Sequence, residues 1–85
     1  MEDYIITFSN GNYAVAAYNK LHGYGYNIKL MQTPFSIRNE CDLCIRAFNS
    51  EDVNMLIKQC KGQYHISNIY QGINHKGSYI YKLIT

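Results

Sequence analysis

Long apolar runs are missing from this 85-residue sequence. No stretch approaches the ~20 consecutive apolar residues that a membrane-spanning helix needs, so no membrane segment is expected. No secretory leader is expected from the opening residues either. Met1-Glu2-Asp3-Tyr4 begins acidic, and the apolar segment after it spans about five residues, against the roughly 7–15 of a signal peptide. A cytoplasmic protein is the resulting expectation. Cysteine is scarce and odd in number, with three residues at Cys41, Cys44 and Cys60. Disulfide-stapled secreted domains usually carry an even set, so these read as reduced thiols. Charge is thin as well, at 16% charged residues and a net +2. Lys58, Lys61, Lys76 and Lys82 come nearest to a cluster and read as solvated surface charge, whereas a nucleic-acid binder shows a basic patch or stripe. No nucleic-acid partner is expected.

What the sequence has instead is periodicity. Tyr4-Ile5-Ile6-Thr7-Phe8 is β-branched and aromatic, as a buried strand is. Ser9-Asn10-Gly11-Asn12 stops it and offers helix caps. Ala14, Ala17, Tyr18 and Leu21 then follow the spacing of one helix face, and Gly23 reads as a left-handed cap closing it. Tyr26 to Met31 alternates as a second strand, which Pro34 ends. Residues 35–41 read as a polar connection. Leu43 to Phe48 forms a third strand, with Leu43, Ile45 and Ala47 on one face. Asn49-Ser50-Glu51-Asp52 starts a second helix, read with Ser50 as cap and two acids favouring the helix dipole. Val53, Leu56, Ile57 and Cys60 make its apolar stripe, and Gly62 stops it. Tyr64 to Tyr70 is a fourth strand. Asn74-His75-Lys76-Gly77 is a turn, and Ser78 to Ile84 is a fifth strand hairpinned to the fourth.

The order is β-α-β-β-α-β with an additional C-terminal strand, the ferredoxin-like α+β sandwich, as a single domain over residues 1–85. Its expected core is Phe8, Ala14, Ala17, Leu21, Ile28, Leu30, Leu43, Ile45, Val53, Leu56 and Ile57. Two helices cover one sheet face and leave the other open. Nine tyrosines supply most of the aromatic area, and Tyr4, Tyr64, Tyr70, Tyr79 and Tyr81 are candidates to cover the open face. So small a domain buries limited surface, which favours a homodimer.

Chemistry-bearing patterns are few. Cys41 and Cys44 form a Cys-x-x-Cys. A redox pair needs both sulfurs in a tight turn or at a helix start, and an extended segment would hold their Cα atoms roughly 10 Å apart at ~3.3 Å per residue. That exceeds what a disulfide spans. A zinc site usually takes four ligands, and His22, His65 and His75 lack ligand spacing, so no metal is expected. Cys60 continues a helix stripe and reads as core. No Gly-rich nucleotide fingerprint and no paired carboxylates are present, so neither a cofactor nor an enzyme in its own right is expected.

The segment Pro34-Phe35-Ser36-Ile37-Arg38-Asn39-Glu40-Cys41-Asp42-Leu43-Cys44-Ile45-Arg46 is the most informative. Together with Ile6-Thr7-Phe8 and Tyr13-Ala14-Val15-Ala16-Ala17, its Pro34, Ser36, Cys41 and Ile45-Arg46 resemble the selenium/sulfur (Se/S) carrier-like family of small bacterial proteins. The resemblance covers residues 4–71 and leaves 72–85 as an extension. It implies a carrier whose Cys41 thiolate takes sulfur or selenium from a persulfide or selenium donor protein and hands it to an acceptor enzyme. Ser36, Arg38, Arg46 and Cys44 are the supporting candidates. One departure matters: Asp42 stands where the family has glycine. Flanked by Glu40 and Asp42, Cys41 should have a raised pKa unless Arg38, Arg46 or a helix N-terminus offsets them. The competing reading is a non-catalytic interaction or regulatory module that works through its open sheet face.

Overall fold

The computed structural model describes residues 3–37 and 42–84. Its elements run β1 (Asp3–Phe8), α1 (Gly11–His22), β2 (Ile28–Gln32), β3 (Leu43–Ala47), α2 (Ser50–Cys60), β4 (Ile66–His75) and β5 (Ser78–Leu83). The strands form one antiparallel sheet in the order β2-β3-β1-β4-β5. The first four strands in that order, with both helices on one face, make the expected ferredoxin-like α+β fold, and β5 extends the sheet beside β4.

Both helices start the same way. Asn10 takes an extended backbone and its side chain accepts from the Tyr13 N–H at 3.1 Å. Asn49 does the same for the Asp52 N–H at 2.8 Å. Each thereby satisfies one donor that the first turn leaves without an intrahelical partner. The second cap is therefore Asn49 and not Ser50, because the residue one step earlier has the reach to N3. Gly23 is not the left-handed cap of α1. It keeps right-handed helical angles, and the left-handed residue is Gly25 at φ +84°. Tyr24 and Gly25 first continue the turn with bonds to Leu21 and His22.

The main core lies between sheet and helices. Ile6, Phe8, Ala14, Ala17, Leu21, Ile45, Ala47, Val53, Leu56 and Cys60 are all buried there. Burying a Leu, Ile or Phe side chain stabilises by about 1.5–3 kcal/mol, so these residues are the main favourable contribution to folding. Three expected core positions lie further out. Leu30 and Leu43 are half-buried, and Ile57 is exposed. The buried stripe of α2 runs through Val53, Leu56 and Cys60, which places Ile57 on its flank.

Strand alternation sends Asp3, Ile5 and Thr7 to the face without helices. That face is not bare. Ile5, Cys44 and Ile37 form a second buried cluster, flanked by Met31, Tyr70 and Tyr81. Tyr4 and Tyr64 pack instead against the helix-side core. Of the five tyrosines expected on the open face, Tyr70, Tyr79 and Tyr81 are the ones found there.

Candidate functional site

The chain between β2 and β3 approaches the sheet at both of its described ends. The Thr33 N–H donates to the Asp42 carbonyl at 2.8 Å. Pro34 to Ile37 make a turn closed by the Ile37 N–H on the Pro34 carbonyl at 3.0 Å. The turn drops Ile37 onto Ile5 and Cys44 and leaves Phe35 and Ser36 outside. This connection is thus apolar at one point, where polar residues alone were expected. Ile37 holds the described turn, residues 34–37, against the sheet.

Asp42 is exposed and lines an open cleft of about 410 Å³ with Ser9, Asn10, Gly11, Asn12 and Leu43. The cleft therefore sits at the N-terminus of α1. Helix-start N–H groups and the helix dipole favour negative charge there, and the Asp42 carboxylate opposes it.

The candidate residues from the sequence fall into three places. Arg38 and Cys41, with Glu40 beside them, lie outside the described residues. Ser36 is exposed on the turn. Cys44 and Arg46 stand on β3, on the face without helices. Cys44 is 0% exposed, more buried than a strand cysteine of intermediate access, because Ile37 and Tyr81 pack over its surroundings. Arg46 is engaged elsewhere on that face. Its Nε donates to Asp3 in an ion pair, and its guanidinium lies over the Phe48 ring at 5.0 Å. Since Tyr4 pairs with Ala47, Asp3 lies beyond the end of β3 that is opposite Asp42. The Arg46 charge is thus drawn away from the Asp42 end.

Sequence reasoning missed the partners of Arg46. The Asp3 side chain is only 2% exposed, and it also accepts from the Tyr79 hydroxyl, 76 positions along the chain. Burial disfavours the charge on Arg46, but the hydrogen bond and the charge of Asp3 outweigh it and raise its pKa. Burial, then Asp3, pushes the Tyr79 phenol up to about 12. An acid in an otherwise apolar strand was the available signal; its partners were not visible. Cys60 ends the buried stripe of α2, and burial pushes its thiol up as well. Among the described residues no group of His, Cys, Asp and Glu is placed to hold a metal, and no helix is long and apolar enough to cross a membrane.

The family model described as "Putative Se/S carrier protein-like" matches residues 3–71. The chain belongs to this family. No curated protein and no solved structure matches it. The Se/S carrier-like region takes in β1 to the middle of β4, including the α1 cleft and the β2–β3 connection. The rest of the C-terminal hairpin, with Gly72 and Tyr79, falls outside it. The Asp3–Tyr79 bond therefore joins the first matched residue to the extension.

Proposed function

We propose that this protein carries sulfur or selenium on the thiol of Cys41. Membership of the Se/S carrier-like family carries the reading. The burial of the other two thiols supports it, since Cys44 and Cys60 are 0% and 1% exposed and neither can meet a donor protein without local unfolding. In the loading step the Cys41 thiolate attacks the outer sulfur of a donor persulfide. A Cys41 S–S bond forms, the donor's S–S bond breaks, and the donor leaves as a thiolate. An acceptor nucleophile then takes the outer sulfur and releases Cys41 as thiolate. Selenium follows the same exchange. Such a carrier needs an accessible thiolate and a docking surface, not a deep pocket. The cleft lined by Asp42, the residue that follows Cys41 in sequence, is open.

The test is loading with glutathione persulfide, followed by site-resolved mass spectrometry under non-reducing conditions. The expected result is one added sulfur on Cys41, lost in Cys41→Ser and kept in Cys44→Ala. Sulfur on Cys60, or none on any cysteine of the folded protein, would overturn the reading.

A further inference from the structure

The C-terminal hairpin ends the sheet, and the ladder shows which backbone groups β5 leaves unused. The Ile84 N–H donates to the Ile69 carbonyl at 2.9 Å, one step beyond the Tyr70–Leu83 pair of the register. Hydrogen-bonded pairs alternate along an antiparallel ladder. Lys82, Ile80 and Ser78 therefore bond inward to β4, while Tyr79, Tyr81 and Leu83 aim their N–H and C=O groups away from the sheet. The turn agrees. Lys76 at φ 51° and Gly77 at φ 81° make a two-residue loop that closes on the His75–Ser78 pair.

The two edges of the sheet differ. β2 is short, exposes Lys29 and Gln32, and is followed by Pro34, the usual devices that blunt an edge. β5 has no proline, and Tyr79, Ile80 and Leu83 are 41%, 48% and 54% exposed. Its one charge is Lys82, and residues 66–84 contain no aspartate or glutamate.

We propose that β5 pairs antiparallel with β5 of a second copy of this chain, about a two-fold axis at Tyr81. The outward positions 79, 81 and 83 are evenly spaced about Tyr81, so a two-fold axis there sets each outward position of one copy against an outward position of the other. The pairing uses every outward N–H and C=O of the three, about six bonds in all. An axis normal to the sheet joins helix face to helix face, which requires opposed residues of equal parity, and this register supplies them. Tyr79 meets the partner's Leu83, and Tyr81 meets its own counterpart. Lys82 falls opposite the partner's Ile80, so the two lysines are not directly opposed. A strand with almost no charge offers little to a charged foreign strand and fits its own copy. This inference does not depend on the carrier reading.

Two measurements on the full chain test it. Sedimentation from low to high micromolar concentration should show a dimer that Leu83→Pro converts to a monomer with an unchanged circular dichroism spectrum. The Leu83 N–H points outward, so proline there removes only the edge donor. In a Cys41→Ser background, Tyr81→Cys should form a disulfide-linked dimer under mild oxidation. Leu83→Cys should not, because its counterpart lies four residues out of register. A wild-type monomer at every concentration overturns the proposal, as does a dimer in which Tyr81→Cys does not cross-link. The cross-link alone decides if Leu83→Pro fails to fold.

Discussion

Gly72 lies directly beneath Tyr79. A Cβ on Gly72 would stand 2.6 Å from both Cε2 and the hydroxyl oxygen of Tyr79, and would also overlap the Asp3 carboxylate. The missing side chain is what lets the Tyr79 phenol cross β4 and reach Asp3 on β1. Gly72→Ala should therefore displace Tyr79 and cost about 1–3 kcal/mol, the usual penalty for overpacking. Urea unfolding measures it. Tyr79→Ala in the same background should recover part of the loss, because the clashing ring is then gone.

Alkaline stability should depend on the same phenol. Burial, then the hydrogen bond and charge of Asp3, push Tyr79 up to about 12 from the ~10 of a free tyrosine. The protonated form is favoured in the folded state, so the contribution is fully present below pH ~10 and is lost as pH rises towards about 12. Tyr81 shifts in the same direction, mainly through burial. Ultraviolet titration of the folded protein should show Tyr79 ionising late. In Tyr79→Phe that late step should vanish, and the fall of stability between pH 10 and 12 should flatten.

The thiols should separate cleanly by labelling. Native protein treated with iodoacetamide should be modified at Cys41, while Cys44 and Cys60 stay protected until urea unfolds the sheet. Asp42→Gly removes a carboxylate next to Cys41 and should lower the pH midpoint of its labelling, since a nearby negative charge disfavours the thiolate. An unchanged midpoint would mean that Asp42 does not set this pKa.

The helix-side core gives the largest expected loss. Leu56 is 1% exposed within the main cluster. Leu56→Ala should cost roughly 2–5 kcal/mol, enough to unfold much of a small domain. Ile57→Ala, one residue on and exposed, should cost far less. Thermal unfolding of the pair tests whether the α2 stripe runs through 56 rather than 57.

By itself the sequence determined the order of elements. The β-branched and aromatic run Tyr4–Phe8, helical spacing from Ala14 to Leu21 and Val53 to Cys60, and the glycine and asparagine punctuation are local signals, and local signals are what composition, period and turn chemistry encode. The family was legible too, in Pro34, Ser36, Cys41 and Ile45-Arg46. Only the tertiary structure decided which side chains share the face without helices. Ile37 reads as part of a polar loop until it is seen folded onto Cys44. That Arg46 pairs with Asp3, and Asp3 with Tyr79, is likewise not visible in the sequence. Those contacts join residues 43 and 76 positions apart. No local pattern carries such pairings, because they follow from strand order and register, which are set only when the whole sheet closes.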